Sequence, residues 1–494
     1  MNLLKRNKMK AGSSVGETAS SFSVSPSWAL PAIQSTGKLG FAFAGTYLFT
    51  LLLYLRPNEL FPEIFGTLSI IKFIAISALL AYVGGKLSSG EPLTIMTIEV
   101  KMILVMVGLC LLLLPVSLNP GDSWKEFNDT FSKVVLIFIL MVNLIDSRKR
   151  LLSIFNVVIA GGVWVSYFAI QMFREGTQML QAKGISRIAG VGGGMFGNPN
   201  DLANSLDMLI PLAFVLGLSR KGIARWVYFG ATGLFVVGVL ITYSRGAFLG
   251  LVVTGAFLAW KLGQGKRVKM VFISVLVVGL MTAISPGGFG KRMLTILDSN
   301  KDQTGSSYQR RELLKRGVRL VVARPFGIGM NNYHVLSINE EKAHNAYIEI
   351  SVELGVLGLI AYLVINIAPL LRLMRYEKEF AKGKTEQDKE AYYIGIGLQG
   401  ILVAYMVCSL FASIQYFWYL YYPVAQSIAF CRIYSQRKVA ASEQLALVPA
   451  TAATKPAKRQ TNGGVLWKEP QAGALWKAIS WGGGRRISKK VSGA

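Results

Sequence analysis

The sequence predicts an all-α, polytopic membrane protein with about twelve transmembrane helices. Three observations carry this. Hydrophobic residues fill 52% of the 494 positions and charged residues only 16%, less charge than a soluble chain of this length carries. Many apolar runs reach the roughly 17–25 residues that a helix needs to cross a bilayer. The alternating strands of roughly ten residues that mark a membrane barrel are absent.

Twelve span cores follow in order: Phe41–Leu55, Gly66–Gly84, Met102–Leu118, Ser132–Ile145, Leu152–Phe173, Leu202–Leu218, Trp226–Thr242, Ala247–Trp260, Met270–Ser285, Ala346–Leu371, Tyr392–Phe411 and Ile414–Phe430. The fourth is short, and the last two run almost together, which predicts a tight hairpin. Lysine and arginine collect in cytoplasmic loops. With the N-terminus inside, the inner loops hold Arg148-Lys149-Arg150, Arg220-Lys221 with Arg225, Lys266-Arg267, and Arg372 with Arg375 and Lys378. Removing the fourth span would turn every later basic loop outward, so the charge bias supports twelve. The same bias accounts for the net charge of +27 without nucleic acid as a partner. Cys110, Cys408 and Cys431 lie in apolar runs with no CxxC pair, so neither a disulfide nor a zinc site is expected.

The expected organisation is a polar, Ser-rich cytoplasmic segment over 1–38, a transmembrane catalytic domain over 39–432 with an outer loop at 286–345, and a disordered basic cytoplasmic tail over 433–494. The first segment has no apolar stretch of the kind a cleavable signal peptide needs. Trp467, Trp476 and Trp481 stand among lysines and arginines in the tail, a mixture suited either to an anionic membrane surface or to a plain flexible tail.

Four pieces of polar chemistry fall on the outer side. Arg187 precedes Gly190, Gly192-Gly193-Gly194 and Gly197-Asn198-Pro199-Asn200-Asp201, where glycines allow close backbone approach and Asn198-Pro199 starts a helix. Asn200, Asn204 and Asp207 then share one helix face. Arg245 sits in the short turn Thr242-Tyr243-Ser244-Arg245-Gly246; an arginine at a membrane boundary needs an anion or a snorkelling path. Ser306–Val322 reads as an amphipathic helix with Arg310, Leu314, Gly317 and Val321 on the inward stripe and Arg311, Lys315 and Arg319 facing water. His344 stands where the long polar loop meets an apolar run, one of two histidines in the chain and a group able to exchange a proton near neutral pH. His334 is the weaker candidate. Two or three arginines suit phosphate, and a neutral histidine suits proton removal from a hydroxyl. Outer aspartates such as Asp298 and Asp302 are isolated, so no metal site and no cofactor are expected.

At these residues the chain resembles the O-antigen ligase and polymerase superfamily of bacterial membrane glycosyltransferases. The matching text is Gly194-Met195-Phe196-Gly197-Asn198-Pro199-Asn200-Asp201-Leu202-Ala203, Ser244-Arg245-Gly246-Ala247, Arg310 ahead of Arg324-Pro325-Phe326-Gly327-Ile328-Gly329, Ala343-His344-Asn345-Ala346-Tyr347, and Glu353-Leu354-Gly355-Val356-Leu357-Gly358. The resemblance covers roughly Arg187 to Leu371; the first five spans match by hydropathy alone. It implies a GT-C-like fold in the bacterial inner membrane with a periplasmic active site. It implies an undecaprenyl-pyrophosphate-linked glycan as donor, an acceptor glycan or lipid A core, and an inverting, metal-independent transfer among membrane lipids. His344 would be the base or acceptor-positioning group, with Arg245 and Arg310 on the pyrophosphate. Arg187, Asn198, Asn200, Asn345 and Tyr347 would be substrate-binding positions. The stretch Ile188–Gly193 is longer and richer in glycine than the family pattern, which loosens the correspondence at Arg187.

Three alternatives remain open at this point: an O-antigen polymerase, an exopolysaccharide polymerase, and, from another class, a twelve-span small-solute transporter. The halves of the chain lack the internal similarity that many transporters carry. The topology makes one expectation checkable: a reporter fused at Gly305 reads outside, and a cytoplasmic reading would scatter the four pieces to opposite sides.

Overall fold

Backbone amides and carbonyls inside a bilayer must pair within their own segment, and the apolar runs answer this as helices. The structure, a computed structural model, describes residues 39–57, 63, 70–177, 179–182, 185–192, 194–284, 293, 306–337, 341–383 and 385–447. The segment up to Lys38, the positions Gly305, Asp298 and Asp302, and the tail tryptophans Trp467, Trp476 and Trp481 lie outside the described residues. Contacts divide the chain into units at Met1–Ala440 and Ala441–Ala494; of the second, the structure describes 441–447.

The first nine predicted spans coincide with helices over their described residues: α1 Gly40–Leu55, α2 Ile70–Ser89, α3 Ile98–Leu113, α4 Pro120–Leu144, α5 Arg148–Glu175, α6 Pro199–Ser219, α7 Gly222–Ile241, α8 Arg245–Leu262 and α9 Arg267–Ile284. A surface helix, α10 (Ser306–Ala323), follows. Then come a short α11 (Ala346–Glu353), α12 Gly355–Phe380, α13 Glu386–Cys408 and α14 Trp418–Leu447. Among the described residues eight helices are long and apolar enough to cross a membrane, namely α3 to α8, α12 and α13, and α1 and most of α2 are shorter apolar helices. The protein is an all-α polytopic membrane protein.

The sequence also sets the starts of these helices. Thr97, Ser147, Asn198, Ser244 and Thr385 each accept a hydrogen bond from a first-turn amide, which satisfies donors the helix leaves open. The fourth span is longer than its apolar core. Asn119 caps it, Pro120 opens it, and a π-helical turn at Phe127–Phe131 carries it into Ser132. Helix α6 is the central post, with 83% of its apolar window buried against 22% for α7.

Three expectations change. The tenth span, expected as one helix over Ala346–Leu371, is broken at Leu354 into α11 and α12, with Gly355 in the left-handed region at φ +71. The last two spans do not form a tight hairpin. Residues 409–417 make an ordered connection, and the twelfth helix starts at Trp418 instead of Ile414. The same helix continues past Arg432 to Leu447, where the tail was expected to begin.

Two ends of the bundle differ in chemistry. At the basic end, carboxylates meet cations from other helices. Glu99 of α3 is fully buried and holds Arg372 of α12 at 2.7 Å. Glu390 takes Arg220 at 3.1 Å and also Arg148. Glu377 takes Lys261 at 2.6 Å and the Gln399 amide at 2.9 Å.

At the other end, the loop Arg324–Asn332 is fastened to the junction of α11 and α12. The Ile328 and Gly329 amides donate to the Glu353 carbonyl at 3.2 and 3.0 Å, and the Val356 amide donates to the Pro325 carbonyl at 2.9 Å. Gly327 has φ +98 and Gly355 φ +71, conformations open to glycine, and a Cβ on Gly327 would stand 2.6 Å from the Glu353 carbonyl oxygen. The two Gly-containing motifs of the sequence are therefore two halves of one joint. Gly327→Ala should lower stability by about 1–3 kcal/mol, read as a fall in Tm of the detergent-solubilised protein. Gly84→Ala, at a helical site with nothing within 4 Å of the new methyl, should leave Tm unchanged or raise it.

Candidate functional site

The residues singled out in the sequence gather at the end of the bundle opposite the basic end. After α5 the chain forms a hairpin that the sequence did not signal, β1 (Met179–Ala182) against β2 (Ile185–Ile188), antiparallel with Leu180 opposite Arg187. Arg187 thus leaves a strand, half-buried. Gly190 then turns with φ +142, and the Val191 amide closes onto the Phe196 carbonyl at 2.9 Å. Asn198 caps α6, its Oδ1 accepting from the Asn200 and Asp201 amides at 3.0 and 2.9 Å.

The first two motifs meet at Asn200, whose Oδ1 accepts from the Ser244 hydroxyl at 3.0 Å. Ser244 also caps α8, of which Arg245 is the first residue. Arg187 and Arg245 stand close enough to act on each other: the Arg187 guanidinium lies below its ordinary range, first through burial and then through the charge of Arg245. Below Asn200, Asn204 and Asp207 are buried as their shared face predicted, and the Cys408 thiol contacts the Asp207 carboxylate at 3.4 Å.

Helix α10 presents Leu313 and Gly317 inward, against Tyr333 and Ile348. The Tyr333 hydroxyl donates to the Leu313 carbonyl at 2.6 Å. Arg310 is half-buried and Arg311 exposed, the division the helical stripe predicted. Leu314 corrects that stripe: it is 39% exposed, and Leu313 takes the inward place. The buried arc is centred about one residue away, so Arg310 lies at its edge.

His344 occupies the left-handed region with φ +51. Four described non-glycine residues do so, Arg56, Tyr243, Asn331 and His344, and two of them lie in the turns that carry Arg245 and the candidate base. Such a conformation costs about 1–3 kcal/mol at each residue and persists only where the surroundings impose it. Here they do. Asn345 caps α11 through the Ile348 amide at 3.0 Å, and its Nδ2 donates to the Leu410 carbonyl at 3.2 Å. The Ala346 amide donates to the Ser409 carbonyl at 2.8 Å. Tyr347 donates to the Met406 carbonyl at 3.1 Å and packs its ring on Tyr362. In this structure Asn198, Asn345 and Tyr347 therefore have framework partners of their own.

The imidazole of His344 is pushed down to about 4, first by burial, then by Arg310, then by Lys342. Lys342 is also within electrostatic reach of Asp201, which joins the α6 turn to the His344 turn. His334 lies apart from this group and contacts the Asp122 carboxylate at 3.2 Å.

Sequence reasoning missed Lys342 and the connection 409–417. It also missed two buried carboxylates just beyond His344. Glu349 accepts from the Gln415 amide at 2.8 Å and from the Ser413 hydroxyl. Glu353 accepts from the Tyr416 hydroxyl at 2.8 Å and the Tyr333 amide at 3.4 Å. Two carboxylates four residues apart in an apolar segment are a legible signal for an internal polar network. Among the described residues no group of three His, Cys, Asp or Glu side chains has the arrangement to hold a metal ion.

A histidine whose folded pKa lies below its unfolded value of about 6.5 resists protonation as the pH falls. Stability linked to His344 is therefore complete above pH 6.5 and declines as the pH drops toward 4. An imidazole NMR titration of the solubilised protein should find His344 neutral down to about pH 4. In Arg310→Gln the midpoint should rise toward the ordinary value; an unmoved midpoint would disconnect the two residues.

No curated protein matches the chain. Residues 230–363 match a family model described as O-antigen ligase. That stretch runs from α7 through the Arg245 turn, α10 and the His344 turn into α12, and it is the part of the chain that is similar to the O-antigen ligase family.

Proposed function

We propose that the protein transfers a glycan from an undecaprenyl-pyrophosphate donor to an acceptor sugar hydroxyl, at the periplasmic face of the bacterial inner membrane, with inversion and without a metal. The observation that carries this reading is a neutral imidazole set among cations: His344 beside Arg310 and Lys342, with Arg187 and Arg245 acting on each other at the α6 turn. Cations gathered in this way repel one another, and a diphosphate placed among them relieves the repulsion. Guanidinium groups match phosphate oxygens in paired hydrogen bonds.

In the proposed step the acceptor oxygen attacks the anomeric carbon from the side opposite the diphosphate. A carbon–oxygen bond forms as the bond to the diphosphate oxygen breaks, so the configuration inverts. His344 takes the hydroxyl proton and later passes it to water. Charge developing on the departing diphosphate is met by Arg187, Arg245 and Arg310, fixed donors that need no reorganisation at the moment of reaction. The low proton affinity of His344 keeps it in its basic form at neutral pH, and an approaching anion strengthens it as a base.

Replacing His344 with Ala should reduce transfer by about 10²–10⁴-fold, the usual contribution of a positioned base, with the protein still in the membrane. Transfer at the wild-type rate would overturn the assignment. Arg245→Ala should raise KM for the lipid-linked donor more than Arg245→Lys does, since lysine keeps the charge and loses the paired geometry. Deleting the gene and examining the surface glycans separates the acceptors. Lipid-linked polymer left unattached to lipid A supports ligation, and single repeat units in place of chains support polymerisation.

A further inference from the structure

We propose that α10 is a membrane-surface anchor, seated on the leaflet at the site end and bound to the anionic headgroups of its phospholipids. The helix has two working sides. Its inner side carries Leu313 and Gly317 against the protein, and Arg310 stands at the edge of that side within electrostatic reach of His344. On its outer side Leu314, Val318 and Val322 are exposed, Val322 by 79%. Spaced four apart, they form a stripe that drifts only about 40° per step around the helix. Just beyond the helix Phe326 is 82% exposed.

The stripe continues an apolar surface that the spans already present. The Val356 amide is bonded to the Pro325 carbonyl at 2.9 Å, so Phe326 is held against the first turn of α12. On that helix Val356, Leu357 and Ile360 are exposed. These are the lipid-facing residues at the top of a membrane-crossing helix, and their level fixes the level of Phe326. The exposed apolar side of α10 thus starts at the boundary of the bilayer. Four aligned hydrophobic side chains there are unfavourable in water and favourable in the interfacial zone.

The charges complement that placement. Arg311, Arg319 and Arg324 are exposed along the same helix and at its end. Lys315 is bonded to Glu312 at 2.8 Å, and the same carboxylate is within electrostatic reach of Arg319 and Arg311; one acid among these cations leaves a net positive charge for headgroups. Apolar residues with arginines among them are the pattern of a helix lying on an anionic leaflet. Because Arg310 stands one turn before Leu314 on the same rod, at the edge between the lipid-facing stripe and the buried arc, seating the helix on lipid also fixes where that guanidinium stands relative to His344.

The test uses the full-length protein in lipid nanodiscs. The native cysteines Cys110, Cys408 and Cys431 are buried, so a cysteine placed by Val318→Cys can be labelled selectively with a fluorophore. Arg316→Cys, on the side away from the stripe, serves as the comparison. In discs containing phosphatidylglycerol, the Val318 label should be quenched by nitroxide-bearing lipid and shielded from aqueous iodide, and the Arg316 label should behave in the opposite way. Discs of phosphatidylcholine alone should weaken the Val318 quenching. Each Arg→Gln change at Arg311, Arg319 or Arg324 should lower the seated-to-unseated ratio about fivefold in the anionic discs, the Boltzmann weight of one arginine near a charged leaflet. A label at Val322 repeats the reading if the Val318 variant folds poorly.

Three results would overturn the proposal. Iodide reaching the Val318 label as freely as the Arg316 label means a solvated helix. A Val318 label shielded from both quenchers means that protein covers the stripe, either residues 285–305 or a partner. Lipid quenching indifferent to phosphatidylglycerol and to the arginines removes the anionic headgroups.

Discussion

Glu353 is the residue on which the site end depends. Its backbone carbonyl receives the Ile328 and Gly329 amides, and its carboxylate receives the Tyr416 hydroxyl and the Tyr333 amide. Four groups from two distant stretches of chain thus converge on one buried side chain and its own peptide unit. A buried carboxylate is tolerated only when its oxygens are satisfied, so the requirement runs both ways: the loops supply the donors, and the carboxylate fixes the loops. Glu349, one turn earlier, repeats the arrangement with Ser413 and Gln415. Between them the two residues tie the loop after α10 and the connection before α14 to the short helix that Asn345 caps.

The two ends of the bundle use charge in opposite ways. At the basic end, Glu99, Glu377 and Glu390 each bring a cation from another helix into contact. Those pairs join helices far apart in sequence and keep charge neutral where the bundle is dense. At the site end, Arg245 acts on Arg187 as one cation on another, and Arg310 with Lys342 helps to hold His344 neutral. Repulsion of this kind costs stability, as do the left-handed turns at Tyr243 and His344. Strain and like charge in one place are features that mark a candidate site in a fold.

Much of this was legible in the sequence. Hydropathy gave the positions of the helices, of which eight among the described residues are long and apolar enough to cross a membrane; the charge bias predicts twelve because one missing span would invert every later loop. Helical spacing separated Arg310 from Arg311. The same spacing erred at Leu314, since Leu313 and Leu314 flank the buried arc and only the contacts of Tyr333 with Leu313 and Gly317 decide between them. Residues 409–417 were hidden because their apolar members look like membrane span. What makes them a connection is a set of polar side chains, Ser413, Gln415 and Tyr416, whose partners are some sixty residues away in the chain. The hairpin bearing Arg187 has strands of four residues each, too short for their alternation to stand out. Periodicity reports local structure, and these features are held by distant partners.

The connection 409–417 also sets an order of events during synthesis. Arg187, Arg245, Arg310 and His344 all leave the ribosome before it does, yet the caps and amides of the His344 turn close onto Ser409 and Leu410, and Gly246 packs against Phe411. Until the last pair of spans is threaded into the bilayer, the turns of the site lack these supports. Midway through insertion the newborn chain therefore holds these turns without their supports, which come together with the final helix.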